Sequence, residues 1–494
     1  MIDERDASAY AERVWPAYLD SLAKLLAIES VSDVSQQKSG APFGEGCRAA
    51  LDFVLGLSRS LGLSVSESDG YMGYAEVPGS SGEQLGLVAH LDVVPSGPGW
   101  TCPPFGLTRR DGVLVGRGVC DDKGAALAAL YAAAFFAGQG NLGEEGSGTG
   151  GRFCATAATG DESQTVRHAI RCIFGCSEET GMADIRHYLS EHRAPDFALV
   201  PDASFPVCCG EKGCVNAVVR FPVDRTTDRR IVSFEGGTVR NAVPAHAEAC
   251  VRAAIGDCPL AKSVDVQPVG EDLVRIEARG RGGHAAEPVG TINAIAMLAG
   301  YLVDHGLCSQ AERSSLVALH SLLDPADGSG LGIATDDELF GPLTCVGGVI
   351  ETRADAWCQT LDIRVPHAIS IGEVVSALQR TVEAQGLEVD VVHTREPYYA
   401  DPDSACVHAV LDAYRCCSGE AMAEPYAMGG GTYAHHLPHA VAAGPLGADP
   451  RLPAWVGSEH MADEGILESQ LKIALATYVL AISRLQELPS LRAC

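Results

Sequence analysis

The feature that most constrains the fold is a strand, helix and strand succession near the middle of the chain. Residues 170–175 form an apolar run that predicts a buried strand, residues 182–189 predict a helix, and residues 197–200 predict a second strand. Two strands joined by a helix at this spacing are typical of a parallel α/β unit. Functional side chains in such sheets lie at the carboxyl ends of the strands, so the residues that follow these strands are the first candidates for a site.

The rest of the chain predicts two domains. From about residue 214 strands and helices alternate in a second layer with its own sheet, and after residue 396 the chain returns to the first domain. We predict an α/β fold with a discontinuous catalytic domain, residues 1–213 and 397–494, that is phosphorylase/hydrolase-like, with a central sheet flanked by helices. An α+β lid domain, residues 214–396, is inserted into it.

The individual elements follow from apolar periodicity. The segment 138–161 is rich in glycine, serine and threonine and predicts a surface insertion, to which no function is assigned. The other predicted helices cover residues 7–28, 125–137, 292–303, 371–384, 405–414 and 466–485, and the other predicted strands cover residues 74–77, 86–94, 214–221, 273–278, 360–365 and 440–443.

Composition limits the class of partner. The formal charge of the 494 residues is 36 − 64 = −28, a field that repels phosphate backbones and anionic lipids, so neither nucleic acid nor a membrane is an expected partner. The N-terminus shows no export signal, and no apolar run reaches the roughly 18 residues of a membrane span. Eighteen cysteines without an export signal are expected to be mostly small buried residues, which predicts a cytoplasmic location.

The first candidate motif is His90-Leu91-Asp92, at the end of an apolar strand. Because side chains alternate along a strand, His90 and Asp92 leave the same face. An imidazole that binds a metal needs a partner on its second nitrogen, which Asp92 could supply. Taken alone, the pair is more often a purely structural contact than a metal ligand.

Two pairs of adjacent carboxylates follow. Asp121 and Asp122 lie in a glycine-flanked turn before a buried helix, where one carboxylate could bridge two cations or, alternatively, cap the helix. Glu178 and Glu179 follow the strand at residues 170–175 and repel each other unless a cation or a proton separates them. One of them could bind metal while its neighbour accepts a proton; a solvated acidic loop is the alternative.

Asp202 and His460 complete the set. Asp202 follows a strand and a proline, and His460 lies in a loop before the last helix. Nitrogen and oxygen ligands in this number would satisfy two cations about 3.5–4 Å apart, each with three protein ligands if Asp121 is shared. A set without cysteine fits zinc, with manganese or cobalt as other occupants.

These motifs occur in the order of a known family. The chain resembles, over nearly its whole length, the dinuclear zinc metallopeptidase family of ArgE, DapE and PepV, and it is most similar to the PepV-like Xaa-His dipeptidases. The shared motifs are GLVAHLDVVP (86–95), GRGVCDDKG (116–124), SEETG (177–181) and PD (201–202), and the stretches shared with the PepV-like group are FP (205–206), GEKG (210–213) and GGGTYA (429–434).

The resemblance implies a role for each candidate in the first domain. It also implies a cis peptide bond after the bridging aspartate, and two divalent metals, most simply Zn²⁺, that activate a water between them. By this resemblance His90 and Asp202 hold one metal, Glu179 and His460 hold the other, Asp121 bridges the two, Asp92 orients His90, and Glu178 is the general base.

The resemblance extends to the inserted domain. His284 corresponds to a histidine that donates to the tetrahedral oxyanion, and Asn241 to a second contact near it. Arg364 corresponds to the arginine that holds the substrate's terminal carboxylate, for which its planar fork is suited. Gly430 and Gly431 lie in a shared glycine run that is expected to contact substrate. The length of the inserted domain favours a monomer.

The predicted reaction is metal-dependent hydrolysis of a short peptide, most simply a dipeptide. Two alternatives stay open at this point. One is another amide hydrolase of the same family, an N-acyl-amino-acid deacylase or a succinyl-diaminopimelate desuccinylase. The other is a metal-free, non-catalytic binding protein that keeps the fold.

Overall fold

A computed structural model describes residues 2–138, 166–222, 229–353, 356–447 and 449–493. The predicted insertion at 138–161 lies outside these residues, apart from Gly138. Helices and strands alternate along most of the described chain, which confirms the predicted α/β class.

The helices are given first, in chain order. Short 3-10 turns occur at Val34–Gln36, Ile255–Asp257, Ser329–Leu331 and Tyr433–His436. The α-helices are α1 Glu4–Leu26, α2 Glu45–Ser60, α3 Lys123–Phe136, α4 Ala183–Glu191, α5 Ala294–Asp304, α6 Gln310–Leu323, α7 Ile371–Ala384, α8 Ala405–Ser418 and α9 Glu468–Glu487.

The strands of the described residues range from two to ten residues in length. They are β1 Ser64–Ser68, β2 Met72–Val77, β3 Gln84–His90, β4 Thr108–Arg110, β5 Val113–Val115, β6 Ala169–Gly175, β7 Phe197–Val200, β8 Cys208–Glu211, β9 Gly213–Pro222, β10 Ile231–Gly236, β11 Ala242–Val243, β12 His246–Val251, β13 Val264–Gly270, β14 Leu273–Arg279, β15 Gly283–His284, β16 Thr344–Thr352, β17 Ala356–Val365, β18 Glu388–Arg395, β19 Tyr398–Tyr399, β20 Tyr426–Met428, β21 Ala440–Ala442 and β22 Gly465–Leu467.

The chain divides into two compact units, and each is discontinuous in sequence. The domain boundaries expected from the sequence, after residues 213 and 396, stay a prediction; the structural division falls within a few residues of them. The first unit comprises Met1–Cys209, Ala400–Tyr426 and Gly431–Cys494, and the second comprises Gly210–Tyr399 and Ala427–Gly430.

The segment Ala427–Gly430, which the sequence predicts to belong to the first domain, groups with the second unit. Hydrogen bonds explain this. The Lys212 backbone N–H donates to the Met428 carbonyl at 2.9 Å, and the Arg364 guanidinium donates to the Gly429 carbonyl at 2.9 Å. The glycine run is therefore divided, because Gly430 belongs to the second unit and Gly431 to the first.

The first unit is built around a sheet whose neighbouring strands run β1, β2, β6, β3, β7, β21 and β8. The four strands from β6 to β21 are mutually parallel, which confirms the predicted α/β unit. Their register pairs His90 with Gly175 and Ala442 with Val200, so the carboxyl ends of these strands reach the same edge. Strand β3 is buried along its whole length, as its continuous apolar sequence predicts.

Helix α3 forms the centre of the helical layer of this unit. Residues 123–134 are buried, which suits a helix that is apolar around its circumference. The Tyr18 hydroxyl on α1 donates to the Gly124 carbonyl at 2.8 Å, and the Tyr10 hydroxyl donates to the Tyr131 carbonyl at 2.7 Å. The first bond holds the first turn of α3, next to the residues that precede the helix, and the second holds a later turn.

A glycine in that first turn allows the close approach. A Cβ on Gly124 would lie 2.1 Å from the Val119 carbonyl oxygen, which is backbone and cannot rotate away. We expect Gly124→Ala to lower the thermal midpoint of unfolding, with a free-energy cost of about 1–3 kcal/mol from overpacking. The matched control is Gly56→Ala at an exposed position of α2, where no atom lies within 4 Å of the added Cβ. That change should stabilise the helix by up to about 1 kcal/mol; equal midpoints for the two variants would contradict the account.

The second unit contains an antiparallel sheet in the order β13, β14, β12, β10, β16, β17, β9 and β18. Helices α5, α6 and α7 pack on it through an apolar core of their own. The predicted separate sheet is therefore confirmed. The sheet is larger than the sequence indicates, because it contains five strands that were not predicted: β10, β12, β13, β16 and β18. Helix α6 of this unit was not predicted either.

Two expectations from composition can be compared with the structure. Among the described helices, none combines the length and apolar character needed to cross a bilayer. Most of the described cysteines are free thiols and most of those are buried, as expected. Cys406 is disulfide-bonded.

Candidate metal centre

Carboxylates and imidazoles converge at the carboxyl edge of the parallel strands. Two groups of possible donors form there, and within each group one ligand atom per residue lies within 4.8 Å of the others. Asp121 belongs to both. The first group is His90, Asp121 and Asp202, and the second is Asp121, Glu179 and His460.

The sheet topology explains why these residues meet. His90 ends β3, Glu179 follows β6, and Asp202 follows β7, three neighbouring parallel strands whose carboxyl ends coincide. Asp121 precedes the first turn of α3, and His460 lies in the loop before β22 with a left-handed φ of 63°. Secondary structure thus brings side chains from across the sequence to one edge.

The first group surrounds a fully buried imidazole. His90 Nε2 lies 2.9 Å from Asp121 Oδ1 and 3.8 Å from Asp202 Oδ1. Burial works against a charge on the ring, but the hydrogen bond to Asp121 and the nearby carboxylate of Asp202 outweigh it and raise the pKa of His90 well above its usual value.

The second group uses the other oxygen of the shared carboxylate. His460 Nε2 lies 2.9 Å from Asp121 Oδ2 and 3.0 Å from Glu179 Oε1. Hydrogen bonds with Asp121 and then Glu179 raise the pKa of His460 to about 11. Asp121 therefore directs one oxygen to each histidine, the arrangement that a bridging carboxylate requires.

The donor set fits divalent cations. Burial and the neighbouring charge of Asp121 raise the pKa of both Asp202 and Glu179, because several carboxylates crowd a space with little water. A divalent cation would relieve that repulsion, and oxygen and nitrogen donors without thiolate suit zinc, manganese or cobalt. The capping alternative for the Asp121–Asp122 pair does not hold, since Asp122 makes no side-chain cap bond to α3. The peptide between Asp121 and Asp122 is cis, as the resemblance implied.

Glu178 lies beside both groups. Burial and then the charge of Asp202 raise the pKa of its carboxyl well above the usual value, and Glu179 and Asp121 add to the shift. A carboxylate with a raised pKa is a stronger base once it is ionised. The environment thus suits the general-base role predicted for this residue.

Asp92 contacts both the His90 imidazole and the turn that carries Glu178. The closest partner of His90 Nδ1 is the backbone carbonyl of Asp92, at 3.0 Å, whereas the Asp92 carboxylate oxygen lies 3.5 Å away. The two oxygens of that carboxylate accept hydrogen bonds from the backbone N–H groups of Glu178 and Glu179, each with an N···O distance of 3.2 Å. Asp92 therefore positions the turn that carries Glu178, and its backbone orients the imidazole.

A second buried acid, Asp184, supports the same turn and was missed by sequence reasoning. One of its oxygens accepts the backbone N–H groups of Cys176 and Ser177, both at 2.7 Å, and also the Tyr433 hydroxyl. Burial raises the pKa of Asp184 to about 6. Gly175, the last residue of β6, allows this close packing, because a Cβ there would lie 2.0 Å from the Tyr433 hydroxyl oxygen.

Lys123, in the motif that contains Asp121, is also structural. Its buried ammonium donates to the Leu25 and Ile28 carbonyls at 3.2 and 2.7 Å, at the end of α1. Burial lowers the pKa of Lys123 to about 8. Lys123 thus ties the start of α3 to the end of α1. The loop that carries the Asp121 carboxylate directly precedes this point.

The remaining predicted residues lie in the second unit, where two of them are adjacent. Strands β11 and β15 pair Ala242 with His284, and the Asn241 carbonyl accepts the Ala285 N–H at 2.9 Å. His284 Nδ1 accepts the backbone N–H of Ala286 at 3.3 Å. In a neutral ring that bond places the proton on Nε2, as a hydrogen-bond donor.

Arg364 is held by its own unit. Its guanidinium donates to both Asp362 oxygens, at 2.6 and 3.1 Å, and to the Gly429 carbonyl at 2.9 Å. These bonds use three of the five N–H groups of an arginine and fix the plane of the fork. The Gly430 carbonyl accepts a hydrogen bond from Arg395 at 3.2 Å.

An α/β domain with shared carboxylate and histidine donors at its strand ends is the arrangement of a metallohydrolase. The chain matches the model of peptidase family M20/M25/M40 over residues 86–484. It therefore belongs to that family, which makes it a peptidase and confirms the resemblance stated from its motifs. The expectation of an enzyme is likewise confirmed, and the binding-protein alternative is set aside.

Curated relatives cover nearly the whole chain. A protein of Staphylococcus epidermidis named "Putative dipeptidase" is 27% identical over 479 residues, which cover 94% of this chain and 96% of the relative. A "Putative dipeptidase" of Staphylococcus haemolyticus is 27% identical over 481 residues, with the same shares covered.

Solved structures share the fold at low sequence identity. Human carnosine dipeptidase 1 aligns with a TM-score of 0.56 and 15% identity, covering 98% of this chain and 100% of that one. The aminoacylhistidine dipeptidase of Vibrio alginolyticus aligns with a TM-score of 0.56 and 14% identity, covering 96% of each chain. At these identities the likeness shows the fold alone.

Proposed function

We propose that this peptidase is a dipeptidase that requires two divalent cations, most simply Zn²⁺. The observation that carries the proposal is the pair of donor groups that share Asp121, with the carboxyl of Glu178 beside them. The names of the staphylococcal relatives, which cover nearly all of this chain, support the substrate class.

Each cation would have three protein ligands. His90 and Asp202 would hold one, Glu179 and His460 would hold the other, and the two oxygens of Asp121 would serve both. When bound, the cations would polarise the peptide carbonyl and make the attacking water more acidic.

Glu178 would act as the general base. It would take a proton from the attacking water and pass it to the leaving amine, a role favoured by the raised pKa of its carboxyl. The Asp92 carboxylate would hold the base in place, because it accepts the N–H groups of Glu178 and Glu179.

The second unit would supply substrate contacts. The Nε2–H of His284 and the side chain of Asn241 would donate to the developing oxyanion, a contact typically worth about 10²–10³ in kcat. The N–H groups of Arg364 that Asp362 and Gly429 do not use would bind the terminal carboxylate of the peptide. Gly430 and Gly431 would line the substrate without a side chain in the way.

Two further features belong to this proposal. The size of the predicted inserted domain favours a monomer. The free thiols along the described chain are consistent with a cytoplasmic protein. Sedimentation velocity and fractionation of cells that produce the chain would measure these properties.

A substrate panel tests the proposed activity. The metal-reconstituted protein is assayed with dipeptides, tripeptides, N-acyl amino acids and N-succinyl-diaminopimelate. We expect dipeptides to have the highest kcat/KM, because the curated relatives that match nearly all of this chain are named as dipeptidases. A higher kcat/KM for N-acyl amino acids or for N-succinyl-diaminopimelate would replace the dipeptidase assignment by the corresponding amidase.

Cation binding should release protons. His460, with a pKa of about 11, is protonated in the metal-free protein at neutral pH, whereas a metal ligand must be neutral. In the unfolded chain the pKa of His460 is about 6.5, so below that pH the imidazolium contributes its full stabilisation to the metal-free fold. This contribution to the free energy of unfolding is lost as the pH rises through the folded-state pKa of about 11. Between the pKa of about 6.5 and that of about 11, zinc affinity should rise with pH, by about tenfold per pH unit for each proton that zinc displaces.

Calorimetry measures this release directly. Zinc titrations at pH 7.5 in two buffers of different ionisation enthalpy should give different binding enthalpies, and the difference counts the protons. The variant His460→Asn should release fewer protons than the wild type. Identical enthalpies in both buffers would contradict the description of His460 as a protonated residue between Asp121 and Glu179.

A further inference from the structure

A buried ion pair lies directly behind the candidate ligands. Arg117 and Glu464 are 1% and 0% exposed, and the Arg117 Nη1–Glu464 Oε2 distance is 2.5 Å. The two residues are far apart in sequence, one in the loop before α3 and the other just before β22. Neither belongs to the donor groups or to the proposed proton path.

The Glu464 carboxylate organises the loop that leads to Asp121. Its Oε1 atom accepts the backbone N–H groups of Gly118 and Cys120, both at 3.0 Å, and that of Asp121 at 3.3 Å. One oxygen atom thus fixes three backbone positions of a four-residue stretch. The last of these positions is the residue shared by both donor groups.

The Arg117 guanidinium makes the corresponding contact with the other loop. Its Nη2 atom donates to the backbone carbonyl of His460 at 3.2 Å, and it lies 3.4 Å from the carbonyls of Pro95 and Ser96. Its guanidinium carbon lies 5.3 Å from the centre of the Trp100 ring, over its face. The arginine therefore links the loops that follow β3 and precede β22.

These contacts join the two candidate ligands through one ion pair. Glu464 holds the backbone of Asp121, Arg117 holds the backbone of His460, and the two side chains hold each other. His460 has a left-handed φ, a conformation that non-glycine residues adopt when surrounding contacts enforce it. Residues that orient metal ligands in this way commonly change metal affinity by about 10–100-fold when they are replaced.

We propose that Arg117 and Glu464 are positioning residues that set the spacing of Asp121 and His460. They thereby determine the affinity of the protein for the cation that the group of Asp121, Glu179 and His460 would hold. The inference rests on the proposed metal-dependent function. Either residue acts through the backbone of a ligand, so neither touches substrate or a cation itself. Loss of the pair should release both loops while leaving the ligand side chains present.

The test measures zinc affinity of the metal-free protein by competition with a chelating dye. Two variants probe the pair. Glu464→Gln keeps the shape of the side chain but removes its charge, and it places an amide NH₂ against Arg117 or the backbone N–H groups, which are donors themselves. Arg117→Lys keeps the charge but loses the planar fork that reaches both Glu464 and the His460 carbonyl. We expect each to weaken one of the two zinc equivalents by about 10–100-fold.

A second ion pair of the same unit provides the matched control. Arg171 on β6 and Glu76 on β2 are 16% and 24% exposed, with a Nε–Oε2 distance of 2.6 Å. Glu76→Gln should lower the thermal midpoint of the metal-free protein but leave both zinc affinities at the wild-type values. It therefore separates loss of stability from loss of ligand positioning.

Kinetics provide a further readout. In the Glu464→Gln and Arg117→Lys variants, excess zinc should restore much of kcat with little change in KM, since the ligands are misplaced and still present. Wild-type zinc affinities in both variants, or a loss of kcat that excess zinc leaves unchanged, would overturn the inference while the proposed function stands. If the wild-type protein bound no zinc, the proposed function would fail, and this inference with it.

Discussion

Replacing Glu178 by glutamine should lower kcat for dipeptide hydrolysis by about 10²–10⁴-fold, the usual contribution of a general base. The amide keeps the shape of the side chain but cannot accept the proton of the attacking water. Glu178 is outside both donor groups, so the variant should keep the metal content of the wild type. Steady-state kinetics and elemental analysis of the same preparation measure both quantities.

The control for this experiment is Glu76→Gln, the same chemical change in a partly buried glutamate that pairs with Arg171. It should leave kcat close to the wild-type value. Glu178→Gln with near wild-type turnover would exclude Glu178 as the base. Loss of a cation from that variant would instead assign Glu178 to the ligands.

Asp121→Ala should have the largest effect on metal content. Its two oxygens face His90 and His460 separately, so its removal takes a ligand from both groups at once. We expect content to fall from about two ions per chain to nearly none after dialysis, with activity lost in parallel.

A variant of the first group alone gives the comparison. Asp202 belongs only to the group that contains His90, so Asp202→Ala should lose about one ion and keep the other. Inductively coupled plasma mass spectrometry counts the ions per chain. Equal metal content in the Asp121 and Asp202 variants would contradict the shared role of Asp121.

Local sequence predicted the parts of the site that depend on strand ends. His90, Glu179 and Asp202 each follow an apolar strand, and parallel strands in register bring their carboxyl ends together. His460 has no such local signal, since it lies in an irregular loop far along the chain. Its assignment came from resemblance to a family.

Contacts between a side chain and a distant backbone were not predictable. Nothing in the sequence indicates that Asp92 accepts N–H groups of the Glu178–Glu179 turn, or that Arg117 pairs with Glu464. These partners are set by the fold, and a backbone N–H carries no residue identity for a sequence pattern to reveal. The buried acids that support the site were therefore missed even where the candidate ligands were predicted.

The extra strands of the second unit have a different explanation. Strand β18 is largely exposed, with a mixed polar and apolar sequence that gives a weak alternating signal. Helix α6, by contrast, begins with a capping box formed by Ser309 and Glu312, a signal that the sequence contained. Apolar periodicity alone therefore underestimates an antiparallel sheet whose edges face solvent.

A zinc titration of the metal-free protein, followed by dipeptide hydrolysis at each point, tests most directly whether this chain is a dinuclear metal-dependent dipeptidase. We expect no hydrolysis without metal and a rate that saturates at about two zinc ions per chain. Hydrolysis by the metal-free protein, or no hydrolysis of any dipeptide at saturation, would contradict it.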